Sequence, residues 1–533
     1  MNRRHWLTSA AGLAGAAAAG VWLHRAPETV PGELLGADHA LGHRLRGGTF
    51  PAPSETLTTD VLVVGGGIAG LAAGLRLRDA SADFLLAELE EEVGGNSRSG
   101  ANAISAYPWG AHYVPLPTKE SVEVRRLFER LGVITGYDPA GLPVYDDYML
   151  CADPDERLYL HGRWQDGLVP LLGVGANERA EYQRFFDHMA AYKALRGKDG
   201  RRAFSIPIDT SSGDPELRAL DRLSFRAWLD REGYQGEHLR WLLDYSCRDD
   251  YGAGLDHVSA WAGIHYFASR NGRASNAEHD TVLTWAAGNG WLVDKLRTAI
   301  ADHVRTRALA IRVKDGERPT VDLYLPDENR VVRVRARAVV LAVPRFVAKR
   351  LLHGGRFATN DQGFEYSPWL VANLSLDHLP SGPGADLAWD NVVYGSAMLG
   401  YVVSTHQSLA MRPKQTVITW YWPLDHLPPA AARQQALGRS TEEWKHLIQT
   451  EVLHLHPELK GAIRRIDLRL WGHAMIRPRP GFIWGEARQQ ALRQHPPIFF
   501  AHSDMAGISI FEEAYTFGVK AAEGVLDHLG LRV

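Results

Sequence analysis

Three glycines, Gly65, Gly67 and Gly70, stand at GxGxxG spacing directly after the apolar run 61–64. Apolar residues then recur at helical spacing, with Ile68 and Ala69 in the first turn. The first glycine allows a tight turn, the second lets backbone approach a pyrophosphate, and the third lets the helix pack against the strand. The helix start presents unpaired N–H groups and a partial positive charge to the phosphates. Glu88 follows eighteen positions after Gly70, at the end of a second apolar run, 84–87. A carboxylate there accepts hydrogen bonds from a ribose hydroxyl, which favours FAD or NAD over a 2′-phosphorylated cofactor.

The chain continues from Glu88 as LEEEVGGNSRS, so that Leu89 and four further residues separate the acid from Gly94 and Gly95. An acidic residue, five positions and a glycine pair resemble the flavin-containing amine oxidase superfamily, whose relatives include protoporphyrinogen oxidases and phytoene desaturases. The resemblance implies FAD, held non-covalently, since no cysteine or histidine sits in an attachment motif. The family usually places arginine directly after the glycines. Here Asn96 and Ser97 intervene, and Arg98 stands in for it. The stretch 108–113 lies where the family runs a second glycine pair beside the flavin ring, which implicates Gly110, Ala111 and His112, with Tyr113 facing the substrate. Residues 338–344 resemble the family's apolar strand ending in proline and bring Ala342 to the cofactor. Leu309 takes the place of the residue whose backbone meets adenine. Residues 498–522 resemble the closing strand, turn and helix. The resemblance puts Ser503 or Asp504 at the ribityl or pyrophosphate region and aims the helix start at Ile510 and Phe511 at the flavin edge, where charge builds on reduction.

The same alignment sets Asn373 where the family holds a lysine that positions a water at flavin N5. Asparagine supplies no cation to oxygen reduction, so slow reoxidation by oxygen and faster transfer to a quinone are expected. Asn373 and His112 are the candidate catalytic residues. Trp420, Tyr421 and Trp422 lie on one strand run, and the two tryptophans are expected as pocket wall. Asp244, Asp249 and Asp250 resemble a metal site only in number, and no metal is expected. The run 90–92 of three glutamates reads as a solvated face.

The strand–helix–strand unit at 60–87 and the apolar strand at 338–343 call for an α/β fold with a Rossmann-like FAD-binding domain. That domain is expected from three segments, 55–118, 281–365 and 465–533. Stretches 119–280, rich in amphipathic helix, and 366–464 are expected to form a mixed-sheet and helical substrate-binding domain. Residues 1–54 are read as signal peptide and linker.

Lys plus Arg number 59 and Asp plus Glu 62, a net charge of −3, which gives no support for a nucleic-acid partner. There are two cysteines, Cys151 and Cys247, without metal-ligand spacing, and their pairing is open from sequence. Arg3 and Arg4 precede His5, Trp6, Leu7 and a weakly apolar stretch rich in Ala and Gly. The order resembles a twin-arginine signal, with a chance basic start to an ordinary secretory signal as the other reading. Twin-arginine export carries folded proteins, so FAD would be loaded in the cytosol and the export machinery would be a partner. A periplasmic or otherwise extracytoplasmic location follows, with membrane association if the signal stays uncleaved. The expected activity is hydride removal from a small-molecule amine, possible polyamines included, with oxygen or a quinone as acceptor. The alternatives are desaturation or oxidation of an isoprenoid- or porphyrinogen-like substrate, or a binding protein that keeps FAD for structure alone.

Overall fold

A computed structural model describes residues 30–352, 363–409 and 413–531. The arginine pair and the apolar stretch behind it lie outside the described residues. A parallel sheet runs in the order Val304–Arg305, Phe84–Ala87, Pro53–Val64, Arg330–Leu341, Ile498–Phe500. Its central strands are apolar without alternation because both faces are covered. Val61, Val63, Ala338 and Val340 pack against the helices Ile68–Asp79 and Phe511–Leu529. Leu62, Val64, Val339 and Leu341 face the opposite core. The strand Arg330–Leu341 serves twice: its first half also pairs antiparallel with Thr320–Leu325, which pairs with Leu309–Lys314. The fold is α/β with a Rossmann-like unit, as the strand and glycine pattern implied.

A second, eight-stranded sheet runs in the order Leu34–Gly36, Ile463–Ile476, Tyr366–Leu376, Thr416–Pro423, Gly400–Val403, Asp390–Val393, Glu156–Leu160, Arg163–Asp166. One face packs on the helices Pro429–Gly438 and Thr441–Leu455 through Leu370, Ala372, Ile418 and Trp420. The other face meets the helix Glu237–Tyr251 and the segment 107–109 through Trp369, Val371, Val392 and Tyr421.

Three boundaries differ from the sequence expectation. Ile463–Ile476 is a strand of the second sheet, so the third nucleotide segment begins beyond it and not at 465. An apolar strand carries no mark of which sheet it joins. The stretch expected as linker contributes Leu34–Gly36, paired parallel with Leu468–Leu470. The helix Val122–Arg130 buries Val124, Leu127 and Phe128 in the nucleotide-side core, although it opens the stretch assigned to the substrate domain. Cys151 and Cys247 are both buried and free, so they do not pair.

The closing helix can approach the first helix only because residue 518 is glycine: a Cβ there would lie 2.2 Å from the Ala69 carbonyl oxygen. Gly518→Val is expected to cost about 1–3 kcal/mol through overpacking. Denaturant unfolding checks this, and an unchanged midpoint would show that the two helices tolerate separation.

Candidate functional site

A cavity of about 1030 Å³ opens at the carboxyl ends of the parallel strands. Its floor is the glycine turn. Gly65 has φ +102°, and a Cβ on it would sit 2.4 Å from the Ala342 carbonyl oxygen. Gly70 does not line the cavity; a Cβ there would meet the Gly65 carbonyl at 1.9 Å, so its role is helix-on-strand packing. Gly67 lines the cavity, and a Cβ on it would meet nothing within 4 Å, because that side is open. Gly67 is also the N-cap of the helix Ile68–Asp79 and supplies no side chain to its first N–H groups. Donors without partners at a glycine-lined hollow form an anion cradle. This cradle fits a dinucleotide pyrophosphate.

The remaining walls agree. Glu88 accepts from Gly66 N–H at 2.6 Å and Glu90 N–H at 2.9 Å, which leaves carboxylate lone pairs for a ribose. Burial raises its pKa, against those two hydrogen bonds. Leu89, Gly94, Gly95, Asn96 and Ser97 line one side, and Leu309 and Ala342 another. Ser503, Asp504, Ile510, Phe511 and Ala111 close the far end. Burial would raise the Asp504 carboxyl, but His502, the Tyr366 hydroxyl at 2.5 Å and Arg345 N–H at 2.8 Å hold it below its ordinary value. The helix Phe511–Leu529 likewise starts without a side-chain cap, at Ile510.

Several cavity residues gave no motif signal. Leu34, Asp38, His43 and Arg46 of the arm cross the opening. Leu41 of the same arm packs with Leu309 and Tyr324, and Asp38 N–H donates to Glu90 at 2.7 Å while its carboxylate pairs with Arg307 at 3.2 Å. Glu90 is therefore a clasp for the arm and not a purely solvated charge. Arg46, Arg350 and Arg433 add positive charge to the lining. Trp471 and His473 reach the cavity from Ile463–Ile476, whose pairing with Tyr366–Leu376 shifts register between Ser367 and Trp369. Gly472 inside that strand was the available signal, since glycine within a strand marks a bulge.

The segment 108–113 separates this cavity from an aromatic enclosure. His112 stacks on Tyr421 at 4.6 Å and lies 5.5 Å from Trp389, with Tyr113 edge-on to Trp389 at 6.1 Å. His112 Nδ1 lies 3.3 Å from the Gly110 carbonyl, which can only accept, so Nδ1 carries the proton. Burial lowers the His112 pKa to about 4, so the ring is neutral and Nε2 is an acceptor. Tyr245, Tyr421 and Trp389 pack in one core with Tyr107 and Trp109. Glu156, Asp249 and Asp390 are deeply set beside these rings, yet each remains only half-buried.

Four expectations are corrected. Trp420 and Trp422 do not line the enclosure. Trp420 donates to Met398 Sδ at 2.9 Å and stacks on Tyr401, and Trp422 packs edge-on to Trp444, both on the opposite face of the sheet. Strand side chains alternate, so Tyr421 between them faces the enclosure. Arg98 does not reach the cavity; it bonds to the Glu92 carbonyl at 2.7 Å and pairs with Glu90 at 3.4 Å, which braces the loop. Asn373 lies outside the cavity lining, donating to the Pro108 carbonyl at 3.1 Å and accepting from Thr419 at 2.7 Å. It is a positioning residue for the wall. Gly110 and His112 belong to the wall and the enclosure, not to the cavity lining. A Cβ on Gly110 would meet the Asn96 carbonyl at 2.3 Å.

Residues 63–131 match the model of the NAD(P)-binding Rossmann-like domain. No curated protein matches the chain in sequence. Solved structures share the fold. A wild-type putrescine oxidase bound to putrescine is 18% identical at TM-score 0.62, over 89% of this chain and 100% of that one. Cyclohexylamine oxidase from Brevibacterium oxydans is 16% identical at TM-score 0.62, over 89% and 99%. A fatty acid isomerase from P. acnes is 16% identical at TM-score 0.61, over 87% and 98%.

Glu88→Ala is expected to weaken flavin retention by about 1.5–3 kcal/mol through loss of a charge-assisted bond. Removing residues 30–47 is expected to speed flavin dissociation, because Leu41 and the Asp38 clasp would be lost. Flavin release followed by fluorescence checks both, and unchanged rates would overturn the assignment of cradle and strap.

Proposed function

We propose that the protein is an FAD-dependent oxidoreductase that removes hydride from a carbon beside an amine nitrogen. The observation that carries this is the pairing of an anion cradle with an aromatic, carboxylate-bearing enclosure on the two sides of one backbone wall. The amine oxidases that share the fold support the reading. FAD, held non-covalently by the glycine turn, Glu88 and the two uncapped helix starts, would supply the two-electron acceptor for that hydride.

The protein's own part is orientation, desolvation and proton management. Trp389, Tyr421 and Tyr245 pack as one aromatic surface at the His112 side, and a nitrogen held against it is disfavoured as ammonium. Neutral His112 offers Nε2 to an amine N–H or to a water. The amine loses two electrons as hydride and one proton to solvent, and the imine is hydrolysed by water to a carbonyl compound and free amine. The desaturase alternative is disfavoured, because an apolar substrate would strip water from Glu156, Asp249 and Asp390 without pairing them.

No lysine lines the described cavity. The cations that do line it are Arg46, Arg350 and Arg433, while Asn373 supplies none at the wall where the family holds its lysine, so a quinone at the outer face of the membrane is the acceptor in this reading. The protein travels there folded and flavin-loaded through the twin-arginine machinery, recognised by Arg3 and Arg4.

Purified protein is expected to release FAD on denaturation and to bleach anaerobically with an amine, then to reoxidise faster with a quinone than with oxygen in stopped flow. Tightly bound NAD without flavin, or oxygen reoxidation as fast as turnover with inert quinones, would sink the respective claims. Replacing Arg3 and Arg4 together by lysine is expected to leave loaded protein in the cytosol, as cell fractionation would read; unchanged export would refute the signal.

A further inference from the structure

We propose that a second hollow, separate from the cofactor cavity, binds a phosphate monoester by its dianionic head, with Arg201, Arg488 and Lys520 as the anchors. The proposal stands apart from amine oxidation, and either can fail alone. The hollow measures about 360 Å³, within the size range of small-molecule sites, and shares no lining residue with the cofactor cavity. Three segments distant in sequence meet there. Asp209 lies in the turn Ile208–Thr210, Arg488 in the helix Glu486–Ala491, and Lys520 on the closing helix Phe511–Leu529. All three cations converge on Asp209. Lys520 Nζ lies 3.0 Å and Arg488 Nη2 3.4 Å from its carboxylate, and Arg201 Nη1 donates to its carbonyl oxygen at 3.3 Å.

One carboxylate against three cations leaves the lining with an excess of two positive charges. Arg488 is 1% exposed and cannot shed its charge, because a guanidinium stays protonated. Its Nη1 donates to the Ile483 carbonyl at 2.7 Å, but its buried Nε–H has no partner among the described residues. The buried indole N–H of Trp484, on the same lining, has none either. Buried donors are ordinarily paired, so two unpaired donors in one cationic hollow point to an acceptor that arrives with a guest. The carboxylates behind the lining make no ion pair with these cations among the described residues. Glu513 accepts from Ile208 N–H at 2.6 Å, and burial lifts its carboxyl to about 8, so it is mostly neutral at pH 7. Asp221 is engaged by the Trp484 backbone N–H at 2.9 Å. Asp199 accepts from the backbone N–H groups of Arg201 and Gly213 at 3.1 and 3.0 Å.

The convergence decides the kind of anion. The cations surround one residue and not two separated points, which suits a single doubly charged head and not the spaced ends of a dicarboxylate. A phosphate monoester carries about 1.5 to 2 negative charges at pH 7, which matches the excess, and its three oxygens accept from several donors at once. Ile208, Leu492 and Phe517, with the Trp484 ring, add an apolar wall. That wall suits a flat organic body and gives free phosphate nothing to bury. Asp209 opposes the head by its charge, so it limits affinity while it holds Lys520 in place. Arg201 and Lys520 are exposed and can be replaced without opening the core.

The test is calorimetric titration of flavin-loaded protein at pH 7, with the glycine cradle filled and flavin absorbance reporting any entry there. Phenyl phosphate is expected to bind once per chain with Kd below about 1 mM, at least about fivefold tighter than inorganic phosphate or benzoate. Arg201→Gln and Lys520→Gln are each expected to weaken phenyl phosphate at least about threefold, and Asp209→Asn to tighten it by a similar factor. Flavin absorbance confirms that each variant is folded. No binding below about 10 mM, or binding that neither Arg201→Gln nor Lys520→Gln changes, overturns the site. Equal affinity for inorganic phosphate overturns the organic body, and equal affinity for benzoate overturns the dianionic head. Weaker binding in Asp209→Asn overturns the argument from excess charge.

Discussion

Three successive carbonyl groups hold the two halves of the molecule in register. Asn373 donates to Pro108, Trp471 to Trp109 and Tyr421 to Gly110, at 3.1, 2.6 and 3.0 Å. The donors come from three neighbouring strands of the eight-stranded sheet, and the acceptors from one segment of the nucleotide half. Each such bond adds only about 0.5–1.5 kcal/mol net, but leaving a buried partner unsatisfied costs about 1–3 kcal/mol. The segment 108–113 therefore cannot slide against the sheet one bond at a time. Ala111 is fixed toward the cofactor cavity and His112 toward the aromatic rings.

Charge is sorted across that wall. Arg46, Arg350 and Arg433 line the cavity that the glycine cradle opens, while Glu156, Asp249 and Asp390 stand in the enclosure. A net charge of −3 conceals this separation entirely. Cations and orphan helix N–H groups suit a diphosphate, and carboxylates among aromatic rings suit a cation. The wall is thin in sequence, so the two fields meet where a cofactor ring and a substrate would touch.

Much of the cofactor side was legible in the chain. Gly65, Gly67, Glu88, Gly94 and Gly95 are local signals, because a turn that admits a phosphate needs glycine at fixed offsets and a ribose acid needs the end of the next strand. The apolar runs 61–64 and 338–341 announced strands covered on both faces. All of these requirements are met within a few residues, so spacing alone expresses them.

The enclosure obeyed no such local rule. Which of Trp420, Tyr421 and Trp422 faces it depends on one residue of strand parity, and parity is set by pairing with Tyr366–Leu376 and Gly400–Val403. Asn373 resembled a catalytic position, but only its partners at Pro108 and Thr419 show that it positions the wall. Glu156, Asp249 and Asp390 lie far apart in sequence and converge because a strand pair and a helix face meet in space. The sequence by itself determined the nucleotide cradle and its fold, since glycine geometry and strand burial are written locally. The tertiary structure alone decided the arm over the cavity, the membership of Ile463–Ile476 and the acidic enclosure, because long-range pairing and packing choose which residues become neighbours.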